Sequence, residues 1–265
     1  MARPDDFDSL LAEAQAQPFI GWDFSWVAKR IITQPLPWNY PSLVAKRAHE
    51  SPDLLDLDTG GGEFLAGLAY RPQRTIATES YPPNVSVAAR RLHPMNVQVV
   101  KVEGPPDNNV QTDDTRGHLP FRDSSFHLVV NRHASFVARD LWRILAPQGH
   151  FLTQQVGEQS HHDFHQLLGK APPSQSRRPW NLSLASNQVE AASLRVTESG
   201  QSDEVMSFID IGALAWYLKS VPWIVDDLSI SRYQNRLKEL HFQIQKRGPL
   251  QVRQSRFMLE AIKEK

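Results

Sequence analysis

Residues 53–64, DLLDLDTGGGEF, place two carboxylates on alternate positions, Asp56 and Asp58, ahead of Thr59 and the glycines Gly60, Gly61 and Gly62. An apolar run that meets such a turn reads as a strand feeding a helix, and the glycines let backbone approach a nucleotide closely. A dinucleotide site asks for G-x-G-x-x-G and rests its pyrophosphate on a helix N-terminus. Here Leu65 stands where the last of those glycines belongs. Asp56, Asp58 and Glu63 would also crowd a pyrophosphate with like charge, at a cost on the order of several kcal/mol in a partly dry site. The acids point to a cofactor that is cationic where it meets this turn.

The elements that must position these residues follow from the pattern around them. Residues 54–58 read as a buried strand and 63–70 as a helix, and 74–79 and 83–92 repeat the pair. Further strands fall at 97–103, 125–131 and 150–155, a helix at 136–145, and two last strands at 194–199 and 251–262. This alternation predicts an α/β, Rossmann-like doubly wound sheet of seven strands with helices on both faces. Ahead of it, 6–16 predicts a short helix and Pro41 opens another, so residues 1–50 form an N-terminal helical segment and 51–265 the main domain. Residues 199–249 hold two helical stretches between the last two strands, the second closed by Gly248. Ligands of such sheets bind beyond the carboxyl ends of the strands where strand order reverses, which puts residues 58–62 at the candidate site.

S-adenosylmethionine carries a sulfonium and an α-ammonium and no phosphate, so it gains from the acids that a pyrophosphate would meet as like charge. LLDLDTGGGEFLAGL resembles the first motif, D/E-x-G-x-G-x-G, of the class I S-adenosylmethionine-dependent methyltransferases, with similarity to their type 11 group. Asp56 matches the acid, and Gly60 and Gly62 the second and third glycines. Glu79, in ATES at the end of the second strand, matches the acid that takes the ribose hydroxyls. LPFRDSSFHLVVNRH resembles the family's fourth-strand motif, and LWRILAPQGHFLT the turn before its fifth strand. The resemblance covers residues 50–156 and extends more weakly to QVEAASLRVTES. Three positions depart from it: Asp58 replaces the first glycine, His127 an Asp, and Gln148 one glycine of a Pro-Gly-Gly turn.

The resemblance implies a methyltransferase that uses S-adenosylmethionine and serves an O or N acceptor, less readily C, on a small molecule. It implies cofactor contacts at Asp56, Asp58, Thr59, Gly60, Gly61, Gly62, Glu79 and Ser80, with Asn131 and Arg132 shaping the same pocket. Adenine contacts fall to the loop after the third strand, at Asp107 and Asn108 or at Asp113 and Asp114. His133, just after the fourth strand, is placed to act as a general base for an acceptor that must lose a proton. Its alternative is a histidine that only packs the loop. Gln154 and Gln155, ending the fifth strand, could hold a polar acceptor, or alternatively satisfy loop backbone as buried amides. The N-terminal segment and the insertion are expected to cover the strand ends, which makes Trp22, Trp26, Trp38, Tyr40, Trp216, Tyr217, Trp223 and Tyr233 pocket candidates, or alternatively core.

QSHHDFH offers His161, His162 and His165, but Ser160 followed by Asp163 reads as a helix capping box, and no metal is assigned. The chain has 265 residues, no cysteine and equal numbers of basic and acidic residues, which excludes thiolate chemistry and a wholly basic nucleic-acid surface. With no signal-like start and no long apolar run, the expectation is a soluble cytoplasmic protein without membrane insertion. A basic excess over residues 229–265 keeps an RNA or protein methyltransferase as the alternative, alongside a cofactor-binding protein without transfer activity.

Overall fold

The computed structural model describes residues 6–105, 108, 118–172, 179–225 and 229–264. Asp6 caps the first helix, α1 (Phe7–Ala16), by accepting from the Ser9 N–H at 3.0 Å. A short strand, β1 (Ile31–Thr33), precedes α2 (Tyr40–Glu50), which Asn39 caps and in whose first turn Pro41 sits. Strand and helix then alternate: β2 (Asp53–Leu57), α3 (Glu63–Gly67), β3 (Arg74–Glu79), α4 (Pro82–Leu92), β4 (Gln98–Lys101), β5 (Phe126–Arg132), α5 (Ala138–Ile144) and β6 (Leu145–Val156). Two helices, α6 (His162–Leu167) and α7 (Leu182–Ala191), lead to β7 (Leu194–Phe208). The insertion holds α8 (Ile211–Ser220) and α9 (Gln234–Arg247) and returns through β8 (Leu250–Lys263).

The strands form one sheet in the order β1-β7-β8-β6-β5-β2-β3-β4. From β4 to β6 the pairs are parallel, whereas β8 runs antiparallel to both β6 and β7. Alternation along each strand feeds two faces. Leu54 of β2 and Leu128 and Val130 of β5 join α2, α3 and α4 in one core, and Leu55, Leu57 and Val129 join α5 and α7 in the other. Order reverses between β2 and β5, so their carboxyl ends open the crevice that the sequence pointed to.

The sheet has eight strands rather than seven, because β1 pairs antiparallel along the outer edge of β7. Strand β7 is also longer than the 194–199 its sequence suggests and runs to Phe208. Residues such as Gly200, Ser202 and Asp203 are poor strand formers, but β8 supplies a continuous register out to Phe208↔Leu250. A third core lies beyond this ribbon. Nine of the ten residues of α8 are buried, the signature of a helix surrounded by protein, and it packs on α1 and α9. Lys219 of α8 donates to the Ala14, Gln15 and Gln17 carbonyls at the end of α1, and Arg30 pairs with Asp210 at 2.6 Å. The N-terminal segment and the insertion are thereby one body over the strand ends. No helix among the described residues is long and apolar enough to cross a membrane.

Candidate cofactor and acceptor site

The glycine turn holds its shape through positive backbone angles. Asp58, Gly60 and Gly62 have φ of 51°, 65° and 81°. Asp58 sits where the family motif carries glycine, and Gln148, at the other substituted glycine, has φ 64°. Both positions thus keep a left-handed backbone without the glycine. Aspartate tolerates it best, and here Asp58 Oδ1 accepts from the Ser80 N–H at 2.9 Å, which locks β2 to the end of β3. Gly61 serves a different purpose. A Cβ there would stand 2.8 Å from Gly21 Cα, so the N-terminal segment lies directly on the turn and carries Trp22 across Gly60.

A cavity of about 260 Å³ opens at this point. Asp56, Asp58, Thr59, Gly60, Glu79 and Ser80 line it, together with Arg132 and His133 from the end of β5. Asp56 Oδ2 and Thr59 Oγ1 are buried there beside each other, and neither has any other partner among the described residues. Burial raises the Asp56 carboxyl to about 7, with the nearby Asp58 charge adding to it. Burial likewise raises Glu79 to about 7, against the hydrogen bond it accepts from the Tyr81 N–H at 2.7 Å. Asp58 is raised by the same cause. Three acids therefore share one small space with unspent affinity for cations and donors.

Several expected contacts fall elsewhere. Gly61 and Gly62 shape the turn from outside the cavity wall, Gly62 against Leu92. Asn131 turns inward, where its Oδ1 accepts from Thr153 at 3.0 Å and Gln155 at 2.6 Å. Asn108 spends its side chain on the Phe136 N–H at 3.0 Å. Asp107, Asp113 and Asp114 lie outside the described residues. Glu63, Phe64 and Asn84 complete the wall. The signal for Glu63 was present, since it follows the glycines directly, whereas Asn84 enters only because α4 begins beside Ser80.

No family model matches the sequence, and no curated protein does. Solved structures do match. BH2331 of Bacillus halodurans, provisionally named a methyltransferase, aligns at a TM-score of 0.57 and 17% identity over 85% of this chain and 99% of that one. The YcgJ protein of Bacillus subtilis gives 0.56 and 17% over 85% and 98%. A protein of Galdieria sulphuraria, provisionally named a sarcosine dimethylglycine methyltransferase, gives 0.50 and 11% over 84% and 85%. The fold is that of the class I methyltransferases.

In this methyltransferase fold a second, larger cavity of about 820 Å³ adjoins the first, and Trp22, Glu63, Arg132, His133 and Trp223 line both. Trp22 and Trp223 stack with rings 5.9 Å apart and 5° from parallel, one from the N-terminal segment and one from the insertion. Phe24, Met206 and Trp180 give the larger cavity its apolar walls, and Tyr217, Gln254 and Arg256 a polar end. Of the expected pocket residues, Trp22, Tyr217 and Trp223 reach it. The others are structural. Trp26 packs on Trp216 and under Arg30, Trp216 donates to the Gln17 carbonyl, and Tyr233 lies in the cap core. Tyr40 is buried and donates to the Asn131 or Leu152 carbonyl, at 2.9 and 3.0 Å.

Trp38 and Gln154 instead form a relay to His133. The indole N–H can only donate, and it lies 2.9 Å from Gln154 Oε1. That orients the amide, so Gln154 Nε2 donates to His133 Nε2 across 3.1 Å. Burial, then Arg256 and Arg132, hold the imidazole well below its ordinary pKa, so it is neutral. A neutral ring carries one N–H, which leaves it on Nδ1. This corrects the expectation of a general base at His133: the lone pair that would take a proton is occupied, and the free nitrogen is a donor. Nor does the capping box form, because Ser160 donates to the Ser255 carbonyl and Asp163 accepts from the Arg253 N–H. His165 is held between the Ala171 and Ile224 carbonyls.

Proposed function

We propose that this chain is an S-adenosylmethionine-dependent methyltransferase acting on an O or N atom of a small molecule. The observation that carries the reading is the trio Asp56, Asp58 and Glu79 around a cavity at the reversal of strand order, with Asp56 Oδ2 and Thr59 Oγ1 buried and answered by no group beyond each other. Those atoms suit a ligand that brings an ammonium and hydroxyl donors. Glu79 is the residue for the ribose hydroxyls, Asp56 and Asp58 for the positive end, and the Gly60 backbone for the closest approach. When bound, the cofactor supplies a methyl group already activated by the sulfonium. The chain's task is then positioning and exclusion of water, which the stacked Trp22 and Trp223 and the apolar walls of the larger cavity serve. A concave, aromatic-walled cavity of this size favours a small acceptor over a nucleic-acid strand. Titration calorimetry with S-adenosylhomocysteine and with NAD⁺ tests the cofactor assignment: the first should bind in the micromolar range or tighter, and the second should not. Binding of NAD⁺ instead, or of neither, overturns it.

A further inference from the structure

Resting on that reading, we propose that the acceptor is a small apolar carboxylic acid, held by its carboxylate where the two cavities meet, between Arg132, Arg256 and the His133 Nδ1–H. Arg132 lines both cavities; its guanidinium lies over the Phe64 ring and makes no hydrogen bond or ion pair among the described residues. Arg256, at 7% exposure, lines only the larger cavity, and its Nη1 is buried without an acceptor. His133 contributes the third donor, because the Trp38–Gln154 relay leaves the proton on Nδ1. Arg132, Arg256 and His133 thus line one cavity, and Arg256 keeps one donor, Nη1, without an acceptor.

The acids of the same wall do not answer them. Glu204 accepts from Arg256 Nε at 2.9 Å and Nη2 at 2.8 Å, and Glu63 pairs with Arg91. Glu158 accepts from the Trp180 N–H and Asp23 from the Ser25 N–H. Glu204 thus offsets Arg256, while Arg132 has no ion-pair partner of its own among the described residues. Planar guanidinium groups also match a carboxylate in geometry. The remainder of the cavity, walled by Phe24, Met206, Ile224 and Trp223, asks for an apolar body. A carboxylate is ionised at neutral pH, so seating it there requires no base, in agreement with the occupied lone pair of His133.

The test is titration calorimetry on the protein loaded with S-adenosylhomocysteine, using octanoate and phenylacetate against octanamide and phenylacetamide. The acids should bind at least about tenfold tighter than their amides. Arg132→Met should erase that ratio. Arg256→Met combined with Glu204→Gln, which strands no buried charge, should reduce the ratio as well, and Arg132→Gln repeats the first variant with a polar side chain. Equal binding of acids and amides, or no acid binding at millimolar concentration, overturns the proposal. So does an Arg132 variant that loses S-adenosylhomocysteine but keeps the acid preference, since Arg132 would then serve the cofactor's own carboxylate. Should the cofactor product fail to bind at all, the acid-to-amide ratio is read on the free protein, which separates failure of this inference from failure of the cofactor assignment.

Discussion

The two adjoining cavities are built on opposite principles. The smaller is acidic, and the carboxylates Asp56, Asp58 and Glu79 that make it so come from the ends of β2 and β3, so that part of its chemistry is local in the chain. The larger is apolar with cationic donors, and draws on the N-terminal segment, β5, the β7–β8 ribbon and the insertion. Charge separates them as well. Burial, with Asp58 adding to it, raises Asp56 and Glu79 in the first, and burial, with Arg256 and Arg132 adding to it, depresses His133 in the second. A site for a cation thus borders a site for an anion, and Arg132 and His133 stand on the boundary. Separating these two regions experimentally is the way to test the assignment of roles.

The largest effect should come from the turn itself. At Gly60 the backbone is left-handed, and a Cβ would lie 3.0 Å from Trp22 Cβ. Gly60→Val should therefore weaken S-adenosylhomocysteine binding by about a hundredfold or more, with circular dichroism showing an intact fold. Normal affinity in calorimetry would move the cofactor out of the smaller cavity.

Glu79→Gln comes next. Losing a charged partner for two hydroxyls costs about 1.5–3 kcal/mol, or roughly ten- to a hundredfold in affinity. Stability should move the other way. The folded pKa of Glu79, about 7, stands above its ordinary value of 4.5, so the native state holds a proton that the unfolded chain has released. Stability of the free protein consequently falls as pH rises from about 4.5 to about 7, and is lowest above that. The amide abolishes this loss. The variant should melt at least a few degrees higher than the parent at pH 8 and match it near pH 4. A lower melting temperature at pH 8 would show that the carboxylate stabilises the free fold.

A smaller effect follows for the parent protein. Asp56 and Glu79 are both raised to about 7 in the free protein, and a bound cation favours their ionised forms. Affinity for S-adenosylmethionine should therefore climb by about tenfold between pH 6 and pH 8, with protons released on binding. Calorimetry in buffers of different ionisation enthalpy measures that release directly. A flat profile would mean that the two acids are already charged, or that they do not meet the ligand.

This contrast also sets what the sequence could reveal. Asp56, Asp58, Gly60 and Glu79 were legible because strand periodicity and turn chemistry act over a few residues, and β3 fell at Arg74–Glu79 as predicted. Arg256 and Glu204 were not, because their pairing depends on the register of a ribbon whose two strands are separated by a helical insertion. Tyr40, Trp38 and Trp216 misled for a related reason. Aromatic residues suit cores and pockets equally, and only their polar atoms decide, here by reaching carbonyls or an amide inside the protein. Asn131 belongs with them: its position at the end of β5 suggested the cofactor, and its neighbours Thr153 and Gln155 claimed it.

The smallest expected effect concerns the relay that fixes His133. Trp38 is a half-buried residue whose indole N–H orients Gln154, and Gln154 in turn occupies His133 Nε2. Nitrogen NMR of labelled protein should find His133 with a bare Nε2 and a protonated Nδ1. No titration should occur near neutrality, because burial and the two arginines disfavour the imidazolium. Trp38→Phe keeps the ring but removes the donor, at a cost of about 1 kcal/mol in stability. It also frees the amide to flip and present its oxygen, which would move the histidine proton to Nε2. The variant should thus change the tautomer while leaving S-adenosylhomocysteine affinity within about twofold of the parent. If His133 titrates near neutrality in the parent, or carries its proton on Nε2 there, the relay is not as described. His133 would then regain the free lone pair that a general base requires.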